Sequence, residues 1–470
     1  MIRKIMIMLL MGTLLLGSGA ITALASEKEE AGAERERGTV VIGVEAGTIH
    51  ELFQKFEPEI ERDLGVEIEF KTWPLYQSYE TLMLMLTSGE AAIDLTTFLP
   101  RWMGDCGIYF TDLSKLGDFK KDFQVDQIVS GFREPYMLYK GKWIGVPFDG
   151  DTLVLIYRRD YMEDPKEKAA FKAKYGYELA PPKTGDQYND IAEFFTRPDE
   201  DFYGHSQIFA RTWENTTFFF QRLFEREGQL WDRNGNALIG NRIGQEAMLD
   251  YLKGRAWAPP GYNEVGWEQQ RRLFFQGKAF MFAGWTDGPK GAADPEQAID
   301  EVRENFSVAV LPGKWTYMFG GRNLGIPENT PNDKRDAYEV LKWLYRPELT
   351  AEMAADPSTH LDPWMYHHFD NPPLYTQMAE VGSAEAFCDA AMQSIEQGII
   401  HIYIRFFRRY EDALATRLAQ AASGEMDGVA AIKAAQDDWD RITSEIGEDI
   451  MVPEMNEYLD LLESIGYPVP

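Results

Sequence analysis

Apolar and polar positions follow two periods along the first hundred residues. Gly38 to Glu45, GTVVIGVE, is a nearly unbroken apolar run and predicts a buried strand. Leu52, Phe53, Phe56, Ile60 and Leu64 then recur at helical spacing until Gly65 stops the run. Residues 66–70, VEIEF, alternate as a strand does, 76–90 predict a helix ending near Gly89, and 93–98, IDLTTF, predict a third strand. This β-α-β-α rhythm suits a mostly parallel sheet covered by helices, because parallel neighbours need a crossover connection.

A second series begins at GVPFDGDTLVLIYRRD, Gly145 to Asp160, whose apolar centre is Leu153 to Tyr157. Asp149 and Asp151, separated by one glycine, stand just before that centre. Two readings of the doublet are open: acids that accept hydroxyl hydrogen bonds at a cleft mouth, or an Asp-Gly turn that starts a strand. Thr184 and Gln187 have capping-box spacing ahead of DIAEFF. Residues 244–254 predict a helix, 271–285 a helix end, a glycine turn and a short strand, and 306–312 another strand. Thr330 and Pro331 are placed as cap and first-turn proline of a helix whose apolar face is Ala337, Val340, Leu341 and Leu344. The last hundred residues read as mainly helical. One stripe is Tyr410, Ala413, Leu414 and Leu418, another Val429, Ile432, Trp439 and Ile442. The pattern predicts two α/β regions and a helical tail, although one large sheet would fit it as well.

Length and charge narrow the class. A chain of 470 residues is too long for one ordinary core. Arg3 and Lys4 precede an uncharged stretch, Ile5 to Ala25, ending in Ala23-Leu24-Ala25. That is the pattern of a cleavable signal peptide (1–25), with a retained membrane anchor as the competing reading. Residues 26–37 read as a flexible leader. Losing Arg3 and Lys4 takes the formal net charge from −29 to −31, which argues against nucleic acid and anionic membrane as partners. Cys106 and Cys388 are the only cysteines; an exported protein could pair them, or they are two isolated buried thiols.

The chain carries no phosphate-binding glycine loop, no dinucleotide fingerprint, no H-E-x-x-H and no G-x-S-x-G, and no cofactor or metal is expected. DRNGN (232–236) resembles the start of a calcium loop, but Ala237 and Ile243 stand where that loop needs Gly and Glu, so a turn is expected. HLDPWMYHHFD (360–370) gathers three His and two Asp in an irregular order broken by Pro363, which suits a surface loop or a ligand-facing segment better than a metal site. Aromatic supply stands out: 12 Trp, 22 Tyr and 28 Phe. Most belong to the core, but Trp73, Trp102, Trp213, Trp285 and Trp364 fall at predicted strand ends or loops. Carboxyl ends of strands in α/β sheets are where ligands sit. Indole faces with nearby acids, amides and Arg match the split character of a sugar, with its C–H faces and hydroxyl rim.

These blocks, taken in order, resemble the extracellular solute-binding proteins of bacterial ABC sugar importers, the group that includes maltose-binding protein. FQKFEPEIERDLGVEIEF, LTSGEAAIDLTTF, FTDLSKL, GVPFDGDTLVLIYRRD, FKAKYGYELAPPKT, FFQGKAFMFAGW, YMFGGRNLGIP and ASGEMDGVAAIKAAQDDWDRI span nearly the whole mature chain. Thr184-Gly185-Asp186-Gln187 replaces the family's usual TWdE, and an Arg expected near 360–370 is replaced. The resemblance implies an α/β, two-lobe periplasmic-binding-protein fold (type II-like), hinge-linked, with a helical C-terminal part. Lobe 1 would be 38–152 plus 322–375, and lobe 2 would be 153–321 plus 376–470. It implies that Asp149 or Asp151 grips ligand hydroxyls and that Trp285 stacks on the sugar. Gly320 and Gly321 would let backbone approach the ligand, with Arg322, Asn323 and Glu45 as polar contacts. Trp364 and His367 lie in a segment like a loop of oligosaccharide-type members. The expected function is carbohydrate capture by a monomer, in the periplasm, for the transmembrane subunits of an ABC permease. The alternatives are a secreted carbohydrate-cleaving enzyme, or the same fold binding a polyamine or peptide.

Overall fold

β1 (Thr39–Glu45) is buried on both faces, as its apolar run requires. In the computed structural model, which describes residues 38–318 and 320–470, it lies between β2 (Glu67–Trp73) and β3 (Leu95–Phe98), parallel to both. The expected signal peptide and leader lie outside the described residues. The intervening helix, Thr48–Leu64, buries Ile49, Leu52, Phe53, Phe56 and Ile60, and Gly65 ends it in the left-handed conformation. A two-residue hairpin, β4 (Leu138–Tyr139) and β5 (Lys142–Trp143), precedes β6 (Val146–Asp149).

The chain then leaves this sheet. β7 (Leu153–Arg158) belongs to a second sheet with β8 (Tyr203–His205), β9 (Ala279–Trp285) and β10 (Phe306–Ala309), in the order β10-β7-β9-β8. β11 (Thr316–Tyr317) follows, and β12 (Arg322–Gly325) returns to the first sheet, whose order is β2-β1-β3-β12-β6. β12 runs antiparallel to both β3 and β6. β13 (Gly398–Ile399) pairs in parallel with β11. Two α/β layers joined by crossings at 150–152, just before β12 and again between β12 and β13 form the two-lobe fold, and among the described residues no single sheet spans them.

β7 explains its own composition. Val154 and Ile156 join a core continuous with Val146 and Phe148 of the first sheet, while Leu153, Leu155 and Tyr157 face a second core. That second core is closed by the C-terminal helices Phe407–Ser423, Gly428–Ile446 and Glu448–Ser464. Trp439 stacks on Trp231 at 5.2 Å, and its indole N–H donates to the Tyr410 carbonyl at 2.8 Å.

Local signals held with one exception. Thr184 accepts the Gln187 N–H at 3.2 Å, while the Gln187 side chain accepts the Lys183 N–H, one residue earlier than a strict capping box. Thr330 and Pro331, by contrast, do not start their helix. It runs Lys334–Leu344, and the Asp333 carboxylate caps it by accepting the Arg335 N–H at 2.8 Å. The Thr330 hydroxyl donates to the Asn332 carbonyl instead; a carboxylate is the stronger cap acceptor. Asp232 closes the DRNGN turn through the N–H groups of Asn234 and Asn236. Cys106 and Cys388 are free, buried thiols in separate cores. Among the described residues, no helix is long and apolar enough to cross a membrane.

Candidate ligand-binding site

The first two crossings meet. Asp149 ends β6, Asp151 follows Gly150, and Gly320-Gly321 leads into β12, so that Arg322 and Asp149 are direct antiparallel partners. Gly320 and Gly321 have φ of 116° and 75°. A Cβ on Gly320 would lie 1.9 Å from Asp151 Oδ2, and one on Gly321 would lie 2.6 Å from the Asp149 carbonyl oxygen. Only glycine allows both the conformation and the approach.

Arg322 organises this junction. Its Nη1 donates to Asp149 Oδ2, and its Nε lies 3.8 Å from Glu45 Oε1 at the end of β1. Glu45 is itself fixed by the Thr97 hydroxyl at 2.8 Å. Asp149 Oδ1 accepts the Asp362 N–H at 2.6 Å, which ties the 360–362 loop to the crossing. Asp149, Asp151 and Asp362 each present an oxygen within 4.8 Å of the others. That spacing would admit a cation, but Arg322 and the buried Lys290 already place positive charge beside the three acids.

Burial, reinforced by Asp151, pushes the Asp149 carboxyl up to about 8 against the pull of Arg322. Burial also raises Asp151, and it holds Asp362 well above the carboxylate range with Asp151, Asp287 and Asp149 adding to the effect. The three lie close enough to titrate as a set, with Asp151 raising both Asp149 and Asp362. Asp287 differs. Burial pushes it up, but Arg271 at 2.7 Å and His360 at 3.3 Å pull harder and leave it below the usual range.

The second sheet supplies an aromatic wall. Trp285 ends β9 and meets Trp213 edge to face at 6.5 Å. The Arg101 guanidinium covers Trp213 at 4.2 Å and is bound to the Glu411 carboxylate at 2.9 Å. Trp267 carries Arg271 on its face at 3.8 Å. Glu214, beside Trp213, accepts the Tyr76 hydroxyl at 3.2 Å across the lobes.

Between these walls lies a cavity of about 120 Å³. Of the residues singled out in the sequence, Asp151, Trp213, Trp285, Gly320, Gly321 and Arg322 line it. Asp149 and Glu45 hold Arg322 from behind. Five others do not line it. Asn323 is fully buried and donates to the Tyr136 carbonyl. Trp73 is buried against Gly43, and Trp102 packs edge-on against Tyr79 in a small core. Trp364 is fully buried among Phe148, Tyr345 and His368. His367 faces the Thr350 hydroxyl at 3.2 Å. A strand end therefore offers an indole two destinations, and packing chooses between them.

The cavity wall also holds Glu214, Trp267, Asp287, His360 and Asp362, which sequence reasoning did not single out as contacts. Glu214 and Asp287 adjoin or nearly adjoin Trp213 and Trp285. His360 and Asp362 open the segment noted for its His and Asp content. Trp267 had no local signal.

Residues 43–351 match the family of bacterial extracellular solute-binding proteins. The chain belongs to that family. This solute-binding protein is 21% identical over 294 residues to a probable amino-acid ABC transporter periplasmic-binding protein of Sinorhizobium fredii, and 22% identical over 306 residues to a maltotriose-binding protein of Pyrococcus abyssi. Each match covers 62% of this chain, and 64% and 58% of those relatives, so the chain spans about six-tenths of the curated relatives it matches. Solved structures share the fold. A solute-binding protein from Agrobacterium radiobacter in complex with ribitol superposes with TM-score 0.73 at 19% identity, covering 86% of this chain and 98% of its own. Maltose-bound T. maritima MalE3 gives 0.72 at 18% identity, covering 86% and 100%. A protein from Agrobacterium vitis with bound D-mannitol gives 0.71 at 18%, covering 87% and 99%.

Proposed function

We propose that this protein is the carbohydrate-capturing subunit of an ABC importer. It is exported through a cleaved signal peptide, acts as a monomer, and hands its ligand to transmembrane permease subunits. The observation that carries this reading is the cavity itself. Trp213, Trp267 and Trp285 stand on one side and Asp151, Arg322 and Asp362 on the other, where the chain crosses between two sheets. Indole faces take the C–H faces of a sugar, and carboxylates with one guanidinium take its hydroxyls. The lobes, divided at about residues 152, 322 and 375, close about the crossings between them, because only the closed form contacts ligand from both sides. No bond is made or broken.

Tryptophan fluorescence titrations of the purified chain with sugars, polyols, polyamines, peptides and amino acids test this. Saturable binding of a saccharide, a smaller scattering radius on binding and no product release are expected. Turnover of an oligosaccharide would favour the enzyme reading, and tighter binding of a polyamine, peptide or amino acid would replace the carbohydrate.

A further inference from the structure

Granting the carbohydrate reading, we infer that the captured ligand is a sugar or cyclitol that carries a protonated amine, and that its ammonium group sits among Asp151, Asp287 and Asp362. The balance of charge around the cavity and the use already made of each nearby cation support this.

Among the described residues, four acids line the cavity, Asp151, Glu214, Asp287 and Asp362, against one guanidinium, Arg322, and one imidazole, His360. The protein's own cations are committed elsewhere. Arg322 donates to Asp149 and has Glu45 at 3.8 Å on its other side. Arg271 serves Asp287 Oδ2 at 2.7 Å, the His360 ring at 3.0 Å and Glu268 at 3.4 Å. Lys290 lies buried near Asp362, yet its three N–H groups go to the carbonyls of Ala354, Asp356 and Leu361. Arg101 is bound to Glu411. These commitments leave Asp151, Glu214 and Asp362 outside every ion pair of the described residues.

Asp287 shows what the cavity lacks. Arg271 and His360 hold it below the usual carboxylate range against burial, so it is charged. Its Oδ1 has no hydrogen-bond partner among the described residues, although the residue is only 4% exposed. A buried charged acceptor without a donor is costly, and a donor that brings positive charge satisfies it best. Asp151 and Asp362 reach the same cavity from two other segments, and Asp287 raises the pKa of both. With Asp149, their oxygens lie within 4.8 Å of one another. Burial raises all three, Asp149 to about 8, so on its own the set holds a proton at pH 7. An ammonium entering this space brings three donors and a positive charge. It favours the ionised carboxylates, and the proton leaves to solvent as the ligand binds. A hydroxyl in the same place brings one donor and no charge. The formal net charge of −29 draws such a cation toward the chain as a whole.

Calorimetric titration of the full chain decides this. The ligands are amino sugars and aminocyclitols, the parent compounds with a hydroxyl in place of the amine, the uncharged N-acetyl derivatives, and putrescine and spermidine as amines without a sugar. We expect an amino sugar or aminocyclitol to bind at least about tenfold more tightly at pH 7 than its parent and its N-acetyl derivative. Between pH 5.5 and 7 its affinity should rise with pH, by up to about tenfold per unit for one proton released, and the heat should vary with the ionisation enthalpy of the buffer. The parent compound should show neither effect. Asp362→Asn and, independently, Asp287→Asn should narrow the amine-to-parent ratio, whereas a purely structural loss would weaken both ligands equally. A parent or N-acetyl compound that binds as tightly as its amine, or an amine whose affinity falls as pH rises over that range, overturns this inference and leaves carbohydrate capture standing. Binding of putrescine or spermidine with every saccharide silent, or silence throughout, overturns both.

Discussion

Asp149 and Arg322 face each other across the antiparallel β6–β12 pair, and the Arg322 guanidinium donates to the fully buried Asp149 carboxyl group. The two strands precede and follow the crossings into the second lobe, so the pair holds the place where the lobes articulate. Removing Arg322 leaves the Asp149 carboxyl buried without its donor, at a cost of about 1–3 kcal/mol. Arg322→Met should lower stability by that order and abolish measurable ligand binding. Asp149→Asn combined with Arg322→Met should recover part of the stability. Urea denaturation of the singles and the double gives the coupling.

Trp285 and Trp73 both end strands, yet one lines the cavity and the other is packed against Gly43. Trp285→Ala should weaken ligand binding by about 2 kcal/mol, roughly thirtyfold, through lost stacking area. Trp73→Phe should change melting temperature while leaving affinity within a factor of two or so, because it packs against Gly43 and does not line the cavity. Calorimetry on both variants, alongside thermal melts, separates the two roles.

Stability should fall as pH rises from 6.5 to 8. Asp149 has its pKa pushed from the ordinary 3.8 to about 8, and Asp151 and Asp362 are raised with it. Such a group binds its proton more tightly folded than unfolded. Its contribution is complete below the unfolded value and is lost as pH climbs through the folded one. Buried histidines act in the opposite sense. Burial lowers His205 to about 4 and His401 to about 3, so their contribution holds above 6.5 and is lost on acidification. The two effects oppose below 6.5, and the carboxyl set prevails above it. Urea midpoints from pH 6.5 to 8.0 should decline, and Asp362→Asn should flatten that decline.

Arg101, after β3, and Glu411, on the C-terminal Phe407–Ser423 helix, form an ion pair between the lobes with side-chain exposures of 4% and 1%. Arg101 also supports the face of Trp213. Glu411→Gln leaves the guanidinium buried without its anion, so the open form should gain population. Small-angle scattering should show a larger radius for the ligand-free variant than for the unaltered protein, and affinity should fall about tenfold or more.

Local chemistry was legible from the sequence wherever one segment decides the outcome. The unbroken run of β1 demanded burial on both faces, and the spacing of Leu52, Phe53, Phe56 and Ile60 demanded a helix. Motif order then pointed to the two-lobe fold. Partners far apart in the chain were not legible, because hydrogen bonding and burial are settled by neighbours in space. Asp362 reached the site through a bond from its own N–H to Asp149, 213 residues away. Trp267 entered because its helix lies beside β9, and Trp364 left because Phe148 and Tyr345 surround it. The sequence by itself determined most of the elements and a supply of indoles and acids, while the crossings between lobes followed from the family resemblance. Tertiary packing alone decided which of those side chains face the cavity and which close the core, because a strand end exposes an indole equally to ligand or to protein until a second lobe covers it.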